Sequence, residues 1–192
     1  MKKILLILFF HLIFCKPTVN ENDYHISLVI HEDLINEFFK NTGDIKGGGD
    51  TPIASYSWQI IQPYVEIEND AIFLYSKVKV QVGDVKTIKN INGFLSAYID
   101  EEINKIMLKI EEAKLIIDVN IFGSEYILAE LDLADYFPDI FKLNGPNVNK
   151  SIDFKLPNGK LRIVDAQISE SFLKLNKDKI EVYSKVEFTP QD

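Results

Sequence analysis

The chain has 192 residues, 46% of them apolar and 26% charged, with a formal charge of −8; that is enough for one core of useful size but not two, and it excludes a disordered or fibrous chain. The acidic balance opposes nucleic acid as a partner, because binding phosphate draws on cationic side chains to release counterions. Arg162 is the only arginine, so planar two-pronged grips on phosphate or carboxylate are nearly unavailable.

Lys2-Lys3 followed by the apolar run Ile4 to Phe14, broken only by His11, predicts a secretory signal over residues 1–14. A membrane-spanning helix needs about 20 apolar residues, and this run stops at Lys16-Pro17. The one cysteine of the chain, Cys15, stands directly behind the run with no partner for an internal disulfide. Leu12-Ile13-Phe14-Cys15 resembles the lipobox of bacterial lipoproteins, in which the cysteine thiol is joined to diacylglycerol and becomes the new N-terminus. The resemblance implies lipidation at Cys15, a lipidated tether over 15–23 and a single domain over 24–192, anchored in the cell envelope and facing the periplasm. Lys16 behind the cysteine resembles the signal for release to the outer membrane. Phe14 departs from the small residue usual in that box; without lipidation, the same signal predicts a free periplasmic or secreted protein.

Tyr24 to Ile30 alternates as a strand does, and from His31 the period changes: Leu34, Ile35, Phe38 and Phe39 recur at helical spacing, predicting an amphipathic helix that ends near Asn41-Thr42-Gly43. Asp44 to Thr51, centred on Gly47-Gly48-Gly49, reads as a flexible loop. The triple glycine lacks the Lys-Ser/Thr that would make it a phosphate cradle. Trp58 to Glu68 reads as a strand with an edge or bulge at Pro63. Ile72, Leu74, Ser76, Val78, Val80 and Val82 then share one strand face against Tyr75, Lys77, Lys79 and Gln81. Ile91, Gly93, Leu95, Ala97 and Ile99 repeat the alternation, and Asp100 to Asn104 is a turn.

In the following stretch the apolar phase switches from even (Ile106, Leu108, Ile110) to odd (Ala113, Leu115, Ile117, Val119). One inserted residue does this, so a β-bulge is predicted near Glu111-Glu112. Ser124 as N-cap and Tyr126 to Tyr136 predict a second helix, stopped by Pro138. Leu143 to Lys150 is a loop, Pro157-Asn158-Gly159 turns a hairpin, and Asn176 to Lys179 turns another.

Tyr64 to Val80 (YVEIENDAIFLYSKVKV) overlays Phe172 to Phe188 (FLKLNKDKIEVYSKVEF), matching Asp70 with Asp178 and Tyr75-Ser76-Lys77-Val78 with Tyr183-Ser184-Lys185-Val186. A duplicated unit and two hairpins alike only in pattern both fit. The lone cysteine behind a signal, the early helix in ISLVIHEDLINEFF and these two strand pairs resemble small bacterial envelope lipoproteins of the tubular lipid-binding (TULIP-like) class. The resemblance implies an α+β fold, a long curved antiparallel sheet wrapped around an amphipathic helix with a second helix midway. It also implies an apolar groove that holds or carries an acyl-chain lipid, with Leu34, Phe38, Trp58, Val78, Val80 and Leu95 as candidate lining residues. The alternative is a structural or protein-interaction lipoprotein with a fully packed core.

No catalytic constellation stands out. His25 and His31 are poorly spaced for zinc and no cysteine joins them; no Gly-x-Ser-x-Gly elbow is present. Glu101-Glu102 and Glu111-Glu112 are adjacent pairs, which on a strand point to opposite faces. The expectation is a non-enzyme with no metal and no cofactor. Lys77, Lys79, Lys86 and Lys89 are candidates for a basic strip toward anionic headgroups, or plain solvent-face lysines.

Overall fold

A computed structural model describes residues 20–42, 45–121, 123–136, 141–148 and 150–191. The signal, Cys15, tether residues 16–19, Gly43-Asp44 and Pro138 lie outside them. Of the described residues 71% are strand and 10% helical, in sheets curled as half-barrels. This corrects the α+β expectation: the described residues are mostly β, with one α-helix among them.

The strands run β1 (Ile26–His31), β2 (Lys46–Asp50), β3 (Ser55–Glu68), β4 (Ala71–Val82), β5 (Val85–Asp100), β6 (Lys105–Glu112), β7 (Lys114–Ile121), β8 (Ser124–Asp132), β9 (Phe141–Asn144), β10 (Lys150–Lys155), β11 (Leu161–Asn176) and β12 (Lys179–Gln191). Helix α1 (Glu32–Asn41) follows β1, and a 3-10 turn (Leu133–Tyr136) follows β8. They form a six-stranded sheet β2-β3-β4-β5-β6-β9, a four-stranded sheet β1-β12-β11-β10 and the ribbon β7-β8, antiparallel throughout. Period-two alternation fixes which face each strand buries. Val65, Ile67, Ile72, Val78, Ile106, Leu115, Ile117, Ile180 and Val182 are buried, and with Ile35 and Phe39 of α1 they make one core.

The predicted phase switch is present. Phe94 pairs with Glu112 and Leu95 with Ile110, leaving Glu111 as the extra residue. Beyond Ala113 the chain leaves the six-stranded sheet to become β7. Gly93 makes room for that departure: a Cβ there would stand 2.3 Å from the Glu112 carbonyl oxygen. A second bulge, between Ile61 and Tyr64, falls at the predicted Pro63. It moves the buried set from Trp58 and Ile60 to Val65 and Ile67.

Two local expectations fail for tertiary reasons. Tyr126 to Tyr136 is not a helix: β7, detached from its sheet, needs a partner, and Ser124–Asp132 supplies it in register, overriding the modest helix preference of Leu, Ala and Glu. Gly123, at φ 85°, helps turn the chain between them. The triple glycine is not a flexible loop but β2, paired with Ser55–Gln59. A Cβ on Gly47 would come within 2.6 Å of the Trp58 indole, and one on Gly49 within 2.7 Å of the Tyr56 hydroxyl. Glycine there lets the two rings lie across the edge strand. The predicted loop 143–150 is likewise shortened by β9, whose Asn144 to Phe141 pair with Lys105 to Leu108.

Past Gln59, β2 no longer covers β3, and α1 takes over its edge. The Asn36 carboxamide accepts from Val65 N–H (2.7 Å) and donates to Val65 C=O (3.0 Å), and Glu32 accepts from Ile67 N–H (2.7 Å). The tips of the two similar hairpins meet here: Asp178 N–H donates to Ile67 C=O (2.9 Å), Lys177 N–H to the Asn69 side chain (3.1 Å), and Glu32 N–H to Asp178 C=O (3.0 Å).

The similarity of the two hairpins extends to detail. Asp70 and Asp178 both take positive φ, 68° and 64°. Tyr64 opposes Tyr75 as Phe172 opposes Tyr183, each pair stacked with centroids 5.1 and 4.9 Å apart. Ser76 and Ser184 are both buried. Each hairpin also extends to a three-stranded meander, β2-β3-β4 and β10-β11-β12.

Candidate functional site

The six predicted lining residues do not form a groove. Val78 and Leu95 are buried in the core, and Phe38 packs edge-on against Phe141 (5.0 Å). Leu34 is 52% exposed on the outer side of α1. Trp58 is buried, its indole over Gly47 and edge-on to Tyr136 (4.8 Å). Val80 is buried beside it. The inward face of the six-stranded sheet is packed interior.

The open space lies elsewhere. A cavity of about 660 Å³ sits over β2–β5, within the range of small-molecule sites. Cross-strand register builds it from outward-facing positions: Lys46 opposes Gln59, Gln59 opposes Lys79, and Lys79 opposes Ile88, with Ser57, Gln81 and Lys86 in the next row. Trp58 and Val80 border it, the only two of the six predicted residues that do. Ile88, 58% exposed, is an apolar side chain in the polar phase of β5. Lysine stems cover apolar surface while their ammonium groups reach water, so Lys46, Lys79 and Lys86 give this space greasy walls and a cationic rim. None of the three makes an ion pair or side-chain hydrogen bond among the described residues.

The basic strip is therefore partly as expected. Lys77, Lys79 and Lys86 share the outward face, but Lys89 sits in the opposite phase and donates to Asp118 (2.5 Å) and to Ile116 C=O (2.8 Å). That ammonium holds the Asp118 carboxyl below the usual carboxylate range. Glu125, hydrogen-bonded to Asp118, is pushed up, the neighbouring carboxylate disfavouring a second charge. Lys46, Gln59, Gln81 and Ile88 were missed in the sequence; an isoleucine out of phase with its strand was the available signal.

The other chemistry-bearing residues are dispersed. His25 accepts from Val186 N–H (2.9 Å), while His31 precedes α1 as a cap without a side-chain bond. Glu111 accepts from Ser96 (2.5 Å) and Lys109 (3.2 Å), which lowers its pKa, and Glu112 pairs with Lys114 (2.9 Å). Among the described residues no cluster of three or more His, Cys, Asp or Glu side chains is placed to hold a metal. Comparison of the chain with known protein families, with characterised proteins and with solved structures finds no match, so the lipoprotein resemblance rests on sequence pattern alone.

Proposed function

We propose that this protein is a non-enzymatic envelope lipoprotein, anchored through Cys15, which binds an acyl-chain amphiphile with an anionic head in the groove over β2–β5. The observation that carries the reading is the 660 Å³ cavity with Ile88 in its wall and the unpaired Lys46, Lys79 and Lys86 around it. An acyl chain lies along Ile88 and the lysine stems, and a carboxylate or phosphate meets the ammonium groups. The ligand thus occupies the outward face, and the interior stays closed.

The test is uptake of a fluorescent fatty acid by the purified protein. Lys79→Glu with Lys86→Glu should weaken it about tenfold or more, the effect of losing roughly 1.4 kcal/mol, at an unchanged melting temperature. Val78→Asn and Leu95→Asn should lower melting instead, since each buries an unpaired amide. No uptake by the parent protein, or uptake indifferent to the charge reversal, would leave a packed-core, protein-interaction lipoprotein as the account. The anchor has its own test: Cys15→Ala should abolish acyl mass on the mature chain and release it from the membrane fraction, and an unchanged mass and distribution would overturn it.

A further inference from the structure

The outward face of the same sheet continues below the lysines into a second cavity, of about 490 Å³. Three strands build it in two cross-strand rows of aromatic, amide and lysine groups. Tyr64 opposes Tyr75, which opposes Asn92, and in the adjoining row Lys77 opposes Asn90. Gln62 enters from the β3 bulge at φ 53°, a left-handed conformation that costs a residue with a Cβ and is found where a side chain is re-aimed toward a site. The side chains of Gln62, Asn90 and Asn92 have no hydrogen-bond partner among the described residues. Asparagine is disfavoured on strands, and two of them at i and i+2 put their carboxamides on one face, into one cavity.

The similar hairpin β11–β12 supplies the second observation. Its equivalent stack, Phe172 on Tyr183, is covered by a third ring: Tyr24 lies 4.7 Å from Phe172 and 6.4 Å from Tyr183, and Glu21 accepts from the Tyr183 hydroxyl (3.2 Å). In the other stack Phe73 flanks Tyr75 from the side at 6.4 Å, but no third ring among the described residues lies on Tyr64, which is 50% exposed. One stack is covered by the chain itself, and the other leaves its Tyr64 ring open beside three side-chain amides.

We propose that this second cavity is a saccharide site, in which the Tyr64–Tyr75 stack takes the C–H face of a pyranose ring and Gln62, Asn90 and Asn92 grip its hydroxyls. Tyrosine faces carry the negative part of the ring quadrupole and attract the polarised C–H groups of a sugar. A carboxamide both donates and accepts, as a vicinal pair of hydroxyls requires. A stacked nucleobase would use similar groups, so adenosine monophosphate is the comparison that separates the two.

The experiment follows the side-chain amide resonances of Gln62, Asn90 and Asn92 in the purified protein. The probes are trimers of N-acetylglucosamine, glucose and mannose, with adenosine monophosphate for comparison. At least one trimer should shift all three resonances saturably. Tyr64→Leu, which removes the ring but keeps apolar cross-strand packing, and Asn92→Ala should each weaken that binding about tenfold or more, while Phe172→Leu leaves it unchanged. Melting temperatures identify a variant that has merely unfolded, and Asn92→Ala alone then decides. Silence with all three trimers, shifts with adenosine monophosphate only, or shifts that survive both Tyr64→Leu and Asn92→Ala would overturn the proposal.

Discussion

Asn36 is the residue on which the seating of α1 turns. Its carboxamide replaces a missing strand: at 2.7 and 3.0 Å it satisfies both the N–H and the C=O of Val65, a residue with no exposed surface. Asn36→Ala leaves two dry backbone groups without partners. A buried unsatisfied group costs about 1–3 kcal/mol, so two should cost about 3 kcal/mol once some water reaches the edge. For a domain of this size that lowers melting by roughly 6–12 °C. Asn36→Asp is the sharper probe: it still accepts from Val65 N–H but sets an oxygen against the Val65 carbonyl, so it should lose nearly as much as alanine despite its shape. Urea unfolding at fixed pH measures both. If Asn36→Ala falls within about 0.5 kcal/mol of the parent, the range of an ordinary surface change, the helix is held by its apolar side chains and Glu32, and the argument that Asn36 caps the edge is wrong.

Gly93→Ala, which sets a Cβ against the Glu112 carbonyl and the Ala113 methyl, should cost about 2 kcal/mol or more through overpacking, read by the same unfolding assay. Glu181 is buried, and Lys179 holds its carboxyl below the usual 4.5. The stability it adds is therefore present above that pH and lost on acidification below it; Glu181→Gln should be less stable at neutral pH and show a shallower acid limb in a pH series of melting temperatures. Tyr183 is pushed up to about 12 by burial and by its hydrogen bond to Glu181. Its stability contribution holds below the ordinary value of 10.0 and fades as pH rises through about 12. The late limb of the tyrosinate absorbance titration should move to lower pH in Glu181→Gln, because Tyr183 loses its charged partner there.

Period-two signals carried most of the fold into view. The buried set Ile72 to Val82, the switch after Ile110 and the break at Pro63 all follow from side chains alternating across a pleated strand, a rule that needs no knowledge of neighbours. What stayed hidden depended on neighbours. Tyr126-Ile127-Leu128-Ala129-Glu130-Leu131 carries helix formers, and nothing local says that β7 will arrive needing a partner. Gly47-Gly48-Gly49 looks like a hinge until the Trp58 and Tyr56 rings that require its bareness are in place. Among the groove candidates, a buried valine such as Val78 and a ligand-facing one have the same sequence signature. The stacked Tyr64–Tyr75 pair and its amides became visible only through cross-strand register.

The pairing of β1 with β12, Ile26 opposite Ser184 and His31 opposite Lys179, has a consequence in time. A chain delivered N-terminus first, from a ribosome or across a membrane, presents β1 before β12, so β1 waits for its partner while the strands between them arrive. Through that interval α1 can settle on β3, but neither β1 nor Glu32 N–H, which donates to the Asp178 carbonyl, has its counterpart. Among the described strands the first to arrive is the last to be paired, and the β1 edge of the four-stranded sheet stays open until β12 is in place.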